Sequence, residues 1–309
     1  MNNYRADYNI VTLDNRILAP AGAVLSHETM APLVSGCGVD RRAGFLLDYR
    51  TVRSDIGEYM LHDSYSIVFS DPAVRERLLG KMSRASLPFP VLEALYYFRE
   101  YDFYTYRHIL MVFALTLLLA EGLIHDEASM IDEMLSAPTH DIGKINVPNT
   151  ILNKSTPLTQ AERKILQHHS VAGYVLLCHF FQDPGNTAAK VARDHHERRD
   201  GSGYPLGIRI DNQIVELVMV SDVYAALISP RPYRPMSYNK RSALEEITSM
   251  AERGLVNWDI VKYLIILNRK ERCPLNEFRV PKEKRGSPPE HNMYNVIADD
   301  ETSNGPAHN

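Results

Sequence analysis

The chain has 309 residues, of which 45% are hydrophobic and 23% charged, with a formal net charge of -4. That length has room for a large core and two domains, in a composition ordinary for a globular protein. The acidic balance excludes a general nucleic-acid footprint, and Cys37, Cys178 and Cys273 lack the spacing of a disulfide framework or a zinc knuckle.

The N-terminal stretch MNNYRADYNI is polar and has no apolar signal core, so a cytoplasmic protein with reduced thiols is expected. Residues 9–30 read as short extended pieces around Ala19-Pro20-Ala21-Gly22. A helix should follow, with Ser26 as N-cap and Glu28 in its first turn. Residues 65–69, YSIVF, read as one more strand. Residues 1–87 are therefore expected to form a small α+β accessory module.

From about Pro88 the pattern turns helical. Helices are predicted near 90–101, 105–122, 126–136, 159–182, 185–196, 212–229, 238–253 and 256–268, punctuated by glycines and prolines. Residues 109–120 are the most membrane-like run. Their 12 residues fall short of the ~20 that a spanning helix needs, which predicts a buried core helix and no membrane partner. Residues 271–309 are expected to be a largely flexible extension ending in a disordered tail.

Five segments supply residues that suit metals. They are His108, His140-Asp141 in THDIGK, His169 in QHHSVAG, His195-His196 in HHERRDGSGYP, and Asp222 in the apolar run VMVSDVYAAL. Neutral imidazole is the commonest metal ligand, and an aspartate inside an apolar helix needs a cation or several donors. Each feature also has a plainer explanation. A His-Asp pair can be a cap or a salt bridge, His168 reads as a surface residue, and Gly201 and Gly203 suit any tight turn. Their joint order is more informative than any one of them, and the number of ligands suits two ions.

That order, with a Gly-Tyr-Pro turn after the double histidine, resembles the HD-GYP branch of the HD phosphohydrolase superfamily. The likeness covers roughly residues 95–270 and includes YDFYTYRH, HDIGKINVPNTILNK, LTQAERKILQHHSVAG, HHERRDGSGYP, SDVYAAL and RPYR. The resemblance implies a mainly α fold, in which an all-helical metal-dependent phosphohydrolase domain (residues 88–270) follows the accessory module. It implies two divalent ions, iron or manganese, and hydrolysis of the cyclic dinucleotide cyclic di-GMP to pGpG and onward to GMP.

By motif position, one ion would fall to His108, His140, Asp141 and Asp222. Asp141 would bridge to a second ion held by His169, His195 and His196. A hydroxide bridging the ions would attack phosphorus, with Asp141 and Lys144 as the catalytic residues. Lys144, Gly203, Tyr204, Pro205, Arg231 and Arg234 would contact the substrate, the arginines through guanidinium forks. Two positions depart from the family pattern. Tyr104 stands where some members place a glutamate for a third ion, and Ala225 where many have an acid.

Other readings stay open: a weakly active sensor or recruiting module, an enzyme for another nucleotide, or one that takes cyclic GMP-AMP. The accessory module is expected to regulate the helical domain or support dimerisation, with a homodimer or a signalling protein as partner.

Overall fold

The structure is a computed structural model that describes residues 4–34, 42–124, 136–230, 236–281, 283–289 and 297–298. Strand Tyr4–Arg5 pairs antiparallel with Val24–Leu25, and Ile10–Val11 pairs with Ile17–Ala19. Helix His27–Val34 follows, and Ser26 Oγ accepts the Thr29 N–H at 3.3 Å, as an N-cap does. A third antiparallel pair joins Ala43–Phe45 to Ser86–Pro88.

Between those last strands lie two helices that are not among those predicted from the sequence. Helix Val52–Leu61 buries Val52, Ile56 and Met60, and Pro72–Met82 buries Val74, Leu78 and Met82. Both show apolar residues every fourth position, and the second starts at an Asp-Pro pair whose Asp71 carboxylate accepts the Ala73 N–H. Residues 65–69 are not a strand. Tyr65, Val68 and Phe69 are buried at i, i+3 and i+4, and the Phe69 N–H bonds to the Tyr65 carbonyl at 3.0 Å. That spacing makes one face of a tight helical turn, whereas a strand would alternate.

The remainder is mostly helical. Helices Phe89–Tyr101 and Phe103–Leu123 follow the predicted spans closely, as do Gln213–Ile228, Lys240–Glu252 and Trp258–Leu267. Phe103–Leu123 is 21 residues long and apolar enough by length and composition to cross a membrane. Its length therefore exceeds the 12-residue run. What makes it a core helix is that 83% of its most apolar window is buried inside the protein.

The predicted 126–136 helix lies, except for Ser136, outside the described residues. His140 and Asp141 lie between two 3-10 turns, Ala137–Thr139 and Ile142–Asn146. The predicted 159–182 helix is two helices, Gln160–Gln167 and His169–Phe181, which meet at His168. The first buries no residue and the second is buried along almost its whole length, so the chain must turn between them. His168 is accordingly no surface residue: it is buried with its ring edge-on to Tyr8, centroids 5.4 Å apart. Helix Thr187–Asp194 then delivers His195 and His196 immediately after its last turn.

The N-terminal strands reach this helical body directly. The Val11 N–H donates to Asn146 Oδ1 at 2.7 Å, and Asn146 Nδ2 donates back to the Val11 carbonyl at 3.1 Å. Near the other end of the chain, Ile297–Ala298 pairs parallel with Leu158–Thr159. The Arg285 and Gly286 N–H groups bond to the Glu245 carboxylate on helix Lys240–Glu252.

Candidate metal centre

Five segments converge because two close approaches allow it. Ideal Cβ atoms placed on Gly143 would sit 1.9 Å from the His169 carbonyl oxygen and 2.4 Å from Gly173 N. Only glycine lets the turn carrying His140 and Asp141 lie directly on the helix carrying His169. His108 comes from Phe103–Leu123 and Asp222 from Gln213–Ile228, where the His108 Nε2 and Asp222 Oδ1 atoms are 2.8 Å apart. These two residues are 114 apart in sequence.

Three of the histidines are oriented by one device. Nδ1 of His140 bonds to the Ala137 carbonyl at 2.7 Å, that of His169 to Leu166 at 2.6 Å, and that of His195 to Ala192 at 2.9 Å. In each case the acceptor is the carbonyl three residues earlier. A carbonyl can only accept, so Nδ1 carries the proton and the Nε2 lone pair turns into the cluster. Nε2 of His169 and of His195 then face each other at 3.4 Å, and Nε2 of His140 is buried without a hydrogen bond. Apart from the Ser170 hydroxyl, 3.5 Å from His169 Nε2, no described donor meets these converging acceptors, and a bound cation would satisfy them.

Asp141 stands among them. Oδ1 is 3.4 Å from His169 Nε2 and 3.9 Å from His195 Nε2. Oδ2 is 3.3 Å from His140 Nε2, 3.8 Å from His108 Nε2 and 2.6 Å from Lys144 Nζ. Its two oxygens thus face two different histidine sets. Among the described residues, three overlapping groups could each hold a metal ion: His108, His140 and Asp222; His169, His195 and His196; and His140, Asp141 and His195. Within each, the ligand atoms lie within 4.8 Å of one another.

The electrostatics suit a cation. Burial pushes the His169 imidazole down to about 4 and, with His140 nearby, that of His195 down to about 3. Burial and the neighbouring His195 also hold His196 well below its ordinary value. Neutral imidazoles have lone pairs to give. For Asp141, burial would raise the carboxyl, but Lys144 and His140 outweigh it and hold it far below its usual range. Asp222 behaves alike through its bond to His108. His140 is raised, because Asp141 outweighs its burial.

A cavity of about 450 Å³ adjoins the cluster, within the size range of small-molecule sites. His108, His169, His196 and Asp222 line it, with Lys144, Tyr104, Gly203 and Tyr204. The Tyr204 ring stacks on His196, centroids 4.6 Å apart and planes at 23°. Pro205 follows Tyr204 across a cis peptide and is not on the cavity wall. Arg231 and Arg234 lie outside the described residues. Ala225 faces the core, fully buried, while Asp222, Val223 and Ala226 carry the cavity face of their helix. An acid at Ala225 would therefore point away from the cavity.

Sequence reasoning missed Glu197. Its buried carboxylate accepts the N–H groups of Leu206, Gly207 and Ile208 at 2.5, 3.0 and 3.1 Å, which pins the Gly-Tyr-Pro loop beside the double histidine. A Cβ on Gly203 would meet Glu197 Cα at 2.3 Å, so this loop too lies directly on backbone. The available signal was a carboxylate adjoining two histidines with glycines just beyond. Lys154 and Arg163 also line the cavity and were likewise missed.

Comparison with known proteins gives the family. Residues 76–256 match the family described as HD domain. A cyclic di-GMP phosphodiesterase of Thermotoga maritima is 34% identical over 186 residues, 59% of this chain and 50% of that protein. A 3'3'-cGAMP-specific phosphodiesterase of Vibrio cholerae is 36% identical over 146 residues, 46% of this chain and 31% of that one. The chain thus spans half or less of the length of these curated relatives. Among solved structures, Bd1817, a HDG"Y"P protein from Bdellovibrio bacteriovorus, is similar with a TM-score of 0.44 and 18% identity, over 86% of this chain and 94% of that one. With its His140-Asp141 pair at the centre of the cluster, the chain belongs to the HD domain family.

Proposed function

We propose that the protein is a metal-dependent phosphodiesterase that hydrolyses cyclic di-GMP to pGpG, GMP or both, in the cytoplasm. The observation that carries this reading is Asp141, whose two oxygens face different histidines beside a cavity of about 450 Å³. The names of the curated relatives supply the substrate class. One ion would be held by His108, His140, Asp141 and Asp222, the other by Asp141, His169, His195 and His196. A mixed imidazole and carboxylate donor set suits iron or manganese. When bound, two such cations supply the acidity and positive charge that attack on a phosphodiester needs.

The chain's own residues do the rest. Asp141 spaces the two sets. Lys144, held 2.6 Å from it, faces the cavity and offsets charge gathering on the phosphoryl oxygens. The arrangement of His196 and Tyr204 gives a flat aromatic surface for a base, and Gly203 adjoins it on the cavity wall. Arg231 and Arg234 complete the substrate contacts in this reading.

Residues 88–270 form the catalytic unit, residues 1–87 a regulatory module, and residues 271–309 an extension. The paired bonds between Val11 and Asn146 support regulation, since Asn146 ends the turn that follows Asp141. A homodimer or a signalling protein would be the partner of that module.

The test is turnover of cyclic di-GMP by protein purified without oxygen and loaded with iron or manganese, with metal content measured on the same sample. Formation of pGpG or GMP at about two metals per chain supports the reading. Binding without hydrolysis by the fully loaded protein would replace it with a sensor. The cGAMP-specific relative favours one second reading, 3'3'-cGAMP as substrate. The same assay with that dinucleotide separates the two.

A further inference from the structure

Besides Lys144, the described cations on the cavity wall are Lys154, Arg163 and Arg198. Three of the four are engaged within the protein. Lys144 Nζ lies 2.6 Å from Asp141, Lys154 Nζ lies 2.6 Å from Glu162, and Arg198 donates to the Glu197 carbonyl at 2.8 Å. Half-buried Arg163 has no hydrogen bond or ion pair among the described residues. Its place on the wall follows from helix register. Arg163, Leu166 and Gln167, at i, i+3 and i+4 of helix Gln160–Gln167, all line the cavity.

We propose that Arg163 binds the second, uncleaved phosphodiester of a cyclic dinucleotide and so sets the preference for that substrate class. The inference rests on the phosphodiesterase reading above. A cyclic dinucleotide brings two separate negative charges into the cavity. The cleaved diester is met by the metal cluster and Lys144. The other enters beside Ile151, Leu152, Leu158 and Leu166, which offer no compensating charge. An anion stripped of water there needs a cation. Asp141 pairs with Lys144, Glu162 with Lys154, and Arg198 is held to the Glu197 carbonyl, so among the described residues Arg163 is the wall cation without a partner. A guanidinium also suits a diester, because it is weakly hydrated and its planar fork matches two non-bridging phosphate oxygens.

The experiment uses the full chain loaded with manganese, as wild type, Arg163→Ala and Arg163→Lys. The helix carries no buried residue, so both substitutions should leave the fold intact. Three quantities are measured: the Kd of cyclic di-GMP, steady-state kcat and KM for cyclic di-GMP and 3'3'-cGAMP, and turnover of bis(p-nitrophenyl) phosphate, a diester with no second phosphate. Arg163→Ala should raise Kd and KM about tenfold for both dinucleotides while kcat stays within about twofold. Hydrolysis of bis(p-nitrophenyl) phosphate should not change, and Arg163→Lys should recover much of the lost affinity.

Unchanged Kd and KM would overturn the proposal. So would a loss confined to guanine contacts, seen as a smaller effect on 3'3'-cGAMP, or an equal loss on the small diester. A wild-type chain that cleaves the small diester but neither binds nor cleaves cyclic dinucleotides would remove the substrate reading itself, and this inference with it.

Discussion

Each cluster histidine with its Nδ1 on a carbonyl three residues back has its donor atom aimed before any ligand arrives. Such preorganisation lowers the cost of assembling a metal site. Asp141→Ala should cut turnover at least about a hundredfold and lower bound metal, because it removes the carboxylate shared by both sets. Elemental analysis and helical circular dichroism on one preparation check it: full metal content with retained activity would sink the shared-carboxylate mechanism. Glu197→Gln addresses the loop. A glutamine keeps one carbonyl oxygen for Leu206 and Gly207 but turns an amino group toward the Ile208 N–H. The loss is about 1–3 kcal/mol of loop anchoring, and the expected result is a higher KM for cyclic di-GMP at unchanged metal content. An unchanged KM would mean that the loop is not held for substrate.

Between elements, the decisive contacts are backbone on backbone. The turn following Asp141 lies so close to helix His169–Phe181 that Gly143 has no room for a methyl group. Gly143→Ala should destabilise the metal-free protein by about 2–4 kcal/mol and weaken metal binding, since the two sets of ligands would be forced apart. Thermal melts with and without manganese measure both effects, and a variant indistinguishable from wild type would show that the two elements can separate without cost. The start of helix Gln160–Gln167 was legible, because Thr159 and Glu162 form a capping box. Its end at His168 was not. The helical pattern runs on through that position, and burial of the following helix forces the turn.

Across the molecule, Asp55 ties the N-terminal third to the helix that carries His108. Its carboxylate accepts from the Tyr106 hydroxyl at 2.6 Å, Thr51 Oγ1 at 2.8 Å and Arg99 Nε at 3.1 Å. Burial would raise its pKa, but the bonds from Tyr106, Thr51 and Arg99 outweigh it, and the value falls below the ordinary 3.8. The unfolded chain therefore takes up this proton first on acidification. The stabilisation is complete above the ordinary aspartate range and is lost as pH falls through the depressed folded value. Asp55→Ala should cost about 2 kcal/mol at pH 7, leaving the buried Tyr106 hydroxyl without this acceptor. It should also remove the matching part of the acid slope below pH ~4. Melting temperatures from pH 3 to 7 test this, and parallel profiles for variant and wild type would rule out the linkage.

Donor types, their order along the chain and the turn chemistry were all readable from the residues. These depend on side-chain identity and on backbone preferences only a few residues long: imidazole and carboxylate for a metal, Asp71-Pro72 or Thr159 to begin a helix, glycine where no Cβ fits. Helices Val52–Leu61 and Pro72–Met82 carried the same kind of signal in their four-residue apolar spacing and were still missed. What had to come from packing is direction. Nothing local to Ala225 says that it turns into the core while Ala226 meets the cavity, or that Glu197 turns back onto the loop beyond it. The His108–Asp222 contact joins residues 114 apart. Such pairings form only when whole helices bury their apolar faces together, and that burial is a property of the assembled core.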